Sequence, residues 1–144
     1  MFFVNGLCDE SARFYRVFES LKATFGPSVC PVVVPYIVDG QANTYVNLFD
    51  YKAYEYGTDG SVKQTALPDM GDRLEGLREA IKEAVAETSE ELLDKFIMGE
   101  EFTPEEIILG VSQGVKDGTI CPVFCGDAHN TFAIDQLLNS LTWL

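Results

Sequence analysis

The sequence predicts a mixed α/β fold on three observations. Residues 119–125 form a short apolar run of Ile, Val, Phe and Cys without alternation, the pattern of a strand covered on both faces. Residues 29–65 are dense in valine, tyrosine and turn residues, as in a small antiparallel sheet. Between these regions, apolar residues recur at helical spacing over several segments.

Taken in order, Met1 to Val4 reads as a short buried strand. Residues 11–25 read as a helix, with Phe14, Val17, Phe18, Leu21 and Phe25 on one stripe. Gly26-Pro27 stops it. Residues 29–38 are strongly β-prone, and Pro31 and Pro35 either place that strand at a sheet edge or leave it a short paired centre. Residues 39–43 form a turn, residues 44–56 one or two strands, and Asp59-Gly60 a hairpin leading into residues 61–65.

Residues 73–87 form an amphipathic helix. Leu74, Leu77, Ile81, Ala84 and Val85 make its apolar stripe, while Glu75, Glu79, Glu83 and Glu87 recur every four residues on another face. Thr88 with Glu91, and Thr103 with Glu106, each have capping-box spacing. Pro104 suits the first helical position and Gly118 a left-handed stop. A closing helix follows, with Ile134, Leu137, Leu138 and Leu141 as its apolar positions and Trp143 near its end.

The chain has 144 residues, 47% of them hydrophobic, enough for one domain with a core. It contains no apolar run long enough to span a membrane and no secretory leader pattern, so a cytoplasmic location is expected. A net charge of −13 argues against broad binding of a phosphate backbone, which relies on Lys and Arg. It fits a basic protein partner or simple solubility. Cys8, Cys30, Cys121 and Cys125 show no metal-knuckle spacing, so reduced, buried thiols are expected. Cys125 and His129 stand four residues apart and form the one candidate thiolate–imidazole pair.

The order EELLDKF…GEEFTPEEI…ICPVFCGDA…LL resembles bacterial elongation factor G and its close paralogues, such as the ribosomal-protection proteins. It looks like the last part of their GTP-binding domain, with the subdomain inserted into it. Further short matches support the resemblance over nearly the whole chain. The run from Ala12 to Val17 is similar to the family's ADFYRV helix, and Val46-Asn47-Leu48 with Lys52-Ala53 to its VDL…KA strand. Val4-Asn5 resembles the start of the family's guanine-recognition run, Val-Asn-Lys-x-Asp. Here Gly6 holds the Lys position and Cys8 the Asp position, with Asp9 one residue late. Gly126-Asp127-Ala128 resembles the GSA loop that approaches the guanine oxygen, with Asp127 at the Ser position.

The resemblance implies a partial sheet of the P-loop GTPase type, packed by the first and last helices, from residues 1–29 and 119–144. An α+β insertion would occupy residues 30–118. Asn5, Gly126, Asp127 and Ala128 would be corners of a guanine pocket, with the Asp127 carboxylate tending to repel the guanine carbonyl unless it points away. The P-loop, switch segments and magnesium-binding Asp of the family would lie before residue 1, so GTP and magnesium belong to the parent protein and this chain alone is expected to be non-catalytic. The expected partners are the ribosome and its large-subunit stalk protein, whose basic surface the Glu75, Glu79, Glu83 and Glu87 face would meet, and the remainder of the translation factor. The other readings are an acidic binding domain that stands alone without nucleotide, and an enzyme in its own right. An incomplete sheet would leave an apolar edge at Met1 to Val4, from which self-association is expected.

Overall fold

The computed structural model describes residues 1–144. A three-stranded parallel sheet has β7 (Cys121–Cys125) at its centre, with β1 (Phe2–Val4) on one side and β2 (Val29–Pro31) on the other. A four-stranded antiparallel sheet follows the chain in order: β3 (Val33–Val38), β4 (Gln41–Asn47), β5 (Lys52–Tyr56) and β6 (Val62–Thr65). The mixed α/β class, with an α+β portion between parallel strands, is as the sequence predicts. Val123, Phe124 and Cys125 are fully buried, which explains the non-alternating run.

The two sheets meet at Val32. The sequence reads residues 29–38 as one strand; the chain instead changes sheets there. The Val32 N–H donates to the Val123 carbonyl at 2.9 Å, and its own carbonyl accepts the Leu48 N–H at 2.9 Å. Pro31 and Pro35 sit on edge strands, where a missing amide hydrogen removes no ladder bond. The expected boundary of the insertion at Cys30 falls inside β2, since Cys30 and Pro31 still pair with β7.

Helix α1 (Phe14–Phe25) starts three residues later than predicted. The Asp9 side chain accepts both the Ser11 N–H and its hydroxyl, holding residues 9–11 in a turn that competes with helix. Phe14 and Phe18 are buried, but Val17 and Phe25 are exposed, so the apolar stripe is narrower than its spacing implies. Helices α2 (Asp72–Ala86), α3 (Glu90–Ile97) and α4 (Pro104–Asp117) pack through α2, with α2 against β2 and α4 against β7. A Cβ on Gly110 of α4 would stand 2.5 Å from Val85 of α2, so glycine permits this close crossing. The Thr103–Glu106 capping box forms with both bonds, and Gly118 ends α4 at φ 75°. The Thr88–Glu91 box does not form: the Thr88 hydroxyl turns back to the Val85 carbonyl at 2.6 Å, and Ser89 caps α3 instead.

Helix α5 (Ile134–Ser140) bonds to the antiparallel sheet rather than closing the parallel one. Its buried residues are Gln136 and Ser140, while Leu138 and Leu141 are exposed. Gln136 accepts from the Asn47 amide at 2.7 Å, and the Tyr56 hydroxyl donates to Asp135 at 2.7 Å. Trp143 packs edge-on against Phe49, with ring centroids 4.6 Å apart. One contiguous apolar core joins both sheets. β1 pairs only with β7, so its outer edge is open. No helix is long and apolar enough to cross a membrane.

Candidate functional site

Because β1 and β7 are parallel neighbours, their carboxyl ends lie side by side, the usual place for ligands in parallel sheets. The loops leaving those ends are bonded to each other. The Gly126 N–H donates to Val4 at 3.0 Å, and the Leu7 N–H to Gly126 at 3.3 Å. The Ala128 N–H donates to the Asn5 side-chain oxygen at 2.9 Å. The Cys8 N–H donates to the Asp127 carboxylate at 3.2 Å. Asn5, Gly126, Asp127 and Ala128, singled out from sequence, are thus brought together in one corner.

Asp127 is the centre of this corner and is only 4% exposed. Its other carboxylate oxygen accepts the Asn130 N–H at 2.8 Å and the Asn130 amide at 3.1 Å. Burial pushes its pKa up, but the hydrogen bonds from Asn130 and Cys8 outweigh that and hold it below the usual aspartate value. The carboxylate therefore points inward, away from the loop surface. Backbone bonds between Asp127 and Phe132 in both directions close the loop. Gly126 is required here, because a Cβ would meet the Phe132 carbonyl at 2.4 Å. Thr131 and Ala133 adopt left-handed φ values of 61° and 58°, a strained pair for residues with a Cβ.

The corner offers few free polar groups to a ligand. The Ala128 N–H is already given to Asn5. Cys8 turns its thiol toward the Ala42 carbonyl, and burial together with the Asp127 charge raises its pKa. Asp9 is exposed and bonded to Ser11. Gly6 has φ 77°, a backbone shape that suits glycine. Beside the corner lies a cleft of about 580 Å³ with Cys8, Asn130, Tyr56, Phe132, Glu55 and Lys63 among its walls.

Glu75, Glu79, Glu83 and Glu87 are all exposed along α2. They are not equivalent. Glu75 accepts the Tyr51 hydroxyl at 2.8 Å, and Glu79 pairs with Lys82 at 3.0 Å. Lys82 also pairs with Glu101 at 3.0 Å, and Arg78 with Glu101 at 2.7 Å. Glu83 and Glu87 form no ion pair and flank a groove that Lys22 also lines. Lys82, in the same helix, is the i+3 partner of Glu79, whereas Arg78 is turned to Glu101 and pairs with none of the four.

Cys125 is fully buried, with its thiol donating to the Val33 carbonyl at 3.1 Å, and burial pushes its pKa well up. His129 is exposed. The strand places the thiol in the core while the loop carries the imidazole into water. Cys30 is likewise buried, with its pKa pushed up to about 12 by burial first and then by Cys121. Cys8 and Cys121 are only half-buried, unlike the buried thiols expected of all four.

No family model matches the chain. The structure is similar to a crystal structure of a protein from Thermus thermophilus, at 29% sequence identity and a TM-score of 0.83. The likeness covers 96% of this chain and 21% of that one, so the chain spans about a fifth of that protein's length.

Proposed function

We propose that this chain is a segment of a translation GTPase of the elongation factor G type, non-catalytic by itself. In this reading it contributes one corner of the guanine pocket and an acidic surface that docks the ribosomal stalk protein. The observation that carries the reading is the pairing of the two strand-end loops, with Asn5 bonded to the Ala128 amide at the carboxyl ends of adjacent parallel strands. Glu75, Glu79 and Glu83 of α2, with Glu87 at its C-cap, are all exposed at four-residue spacing, consistent with a basic partner. The reading is tested by titrating the chain with a fluorescent GDP analogue and with stalk protein at low and high salt. Expected are no GTP turnover, no tight nucleotide binding and salt-sensitive stalk binding. Stalk binding that is unchanged after E83K and E87K sinks the docking part.

A second reading, an acidic protein-binding domain without nucleotide, is favoured by one specific feature: Asp127 and the Ala128 N–H satisfy each other's loops rather than face outward. The two readings part on nucleotide in the longer protein. Saturable GDP binding weakened by N5A supports the first, and stalk docking without GDP binding supports the second.

A further inference from the structure

Helix α3 has apolar residues on two sides but no buried residue. Leu92 and Phe96 pack against the core, and the Phe96 ring lies 6.5 Å from Phe102. Leu93 and Ile97, one turn apart, and Met98 just beyond them face water instead, at 42%, 72% and 73% exposure. Glu90 and Asp94 stand three residues before Leu93 and Ile97 and share their side of the helix. Glu100 follows after the turn at Gly99, whose φ is 72°. These three carboxylates are exposed and form no ion pair. The one base of the helix, Lys95, is held by both oxygens of Glu106 on α4, at 2.7 and 2.8 Å. It is therefore committed to the fold and does not neutralise the rim.

An exposed apolar cluster rimmed by unpaired charge of one sign has a defined complement. A lipid surface bearing anionic headgroups would be repelled by the rim. We infer that the outward face of α3 docks a basic amphipathic helix of a partner protein. Its apolar stripe would cover Leu93, Ile97 and Met98, and flanking Lys or Arg would meet Glu90, Asp94 and Glu100. This surface is distinct from the Glu75 to Glu87 face of α2 and does not depend on that face docking anything.

The test uses two labelled Leu/Lys peptides of identical composition. One spaces its leucines at i, i+3, i+4 and i+7; the other has them scrambled so that no helical face is apolar. Fluorescence anisotropy should show the first peptide binding the chain about tenfold more tightly than the second. L93S/I97S/M98S, with its fold checked by circular dichroism, should erase that preference. E90K/D94K/E100K should weaken the amphipathic peptide by a similar factor, and it supplies the decision should the serine variant fold poorly. E83K/E87K should retain the preference. Equal binding of the two peptides, meaning attraction to net charge alone, overturns the inference. So does an undiminished preference in the α3 variants.

Discussion

The carboxylate of Asp127 accepts the backbone N–H of Cys8 at 3.2 Å, joining residues 119 positions apart in the chain. Through its other oxygen it also binds Asn130. One ionised side chain therefore holds together two loops that the sheet alone would only place side by side.

Replacing Asp127 by Asn should cost about 1–3 kcal/mol, because the charge-assisted bonds weaken and one acceptor becomes a donor facing N–H groups. Urea unfolding at neutral pH measures it. The pH dependence has a definite sign. A carboxylate whose folded pKa is depressed stabilises the fold above its unfolded value, about 3.9, and loses that contribution as pH falls through the folded pKa. The stability gap between the wild type and D127N should shrink below about pH 4. A gap that stays constant into acid would show that Asp127 is not ionised in the fold.

Gly126→Ala should destabilise by about 1–3 kcal/mol, since the added Cβ meets the Phe132 backbone carbonyl, which has no rotamer to yield. Gly76→Ala in α2 is the control: its Cβ meets nothing, and a helix interior favours alanine by about 0.5–1 kcal/mol. Thermal melts of the two variants should move in opposite directions.

Lys82 is 7% exposed and bound by Glu79 and Glu101. Burial lowers its pKa, but these two hydrogen bonds outweigh that and leave it raised. Its stabilisation is present below the unfolded value, about 10.4, and is lost as pH rises through the higher folded value. Lys82→Met keeps the packed stem and should cost about 1 kcal/mol at pH 7, with the cost fading in strong alkali. An unaltered midpoint of denaturation at pH 7 would contradict this.

Thiol titration distinguishes the four cysteines. Native protein should release signal from Cys8 and Cys121 only, and slowly, with Cys30 and Cys125 reacting after denaturant is added. Fast modification of Cys125 at neutral pH, lost in His129→Ala, would revive the thiolate–imidazole enzyme.

Thr103→Ala removes one half of a complete capping box and should cost about 1 kcal/mol. Thr88→Ala removes only a hydroxyl bonded to a preceding carbonyl and should cost less, whereas Ser89→Ala should cost about as much as the Thr103 change. Melting temperatures rank the three.

Features decided within a few residues were legible in the sequence. The Thr103–Glu106 box, the Gly118 stop and the prolines on edge strands all depend on local backbone chemistry. The break at Val32 was not legible, because its two partners, Val123 and Leu48, lie elsewhere in the chain and a β-prone run carries no mark of a change of sheet. Likewise Gln136 is buried in α5 because Asn47 and Tyr56 meet it, and helical spacing alone put the leucines inward. At the candidate site, it was the family resemblance that grouped Asn5, Gly126, Asp127 and Ala128. The inward turn of Asp127 depended on Cys8 and Asn130. Asn130, three residues on, left a local sign of an Asp-centred turn; Cys8 left none.

Val32 has a consequence for the order in which the molecule assembles. The strands β3 to β6 are joined by short local hairpins and are all synthesised by residue 65. Neither β1 nor β2 can pair until β7 leaves the ribosome, more than 50 residues later. Val32, between β2 and β3, bonds its backbone to both sheets, so the early meander should wait with one end unanchored and be drawn onto the late strand at this point. Pulse-labelled hydrogen exchange should protect Val46 and Tyr54 before Val32. Synchronous protection would mean that the nascent hairpins gain nothing from their head start, and that the seam between the sheets is itself the nucleus.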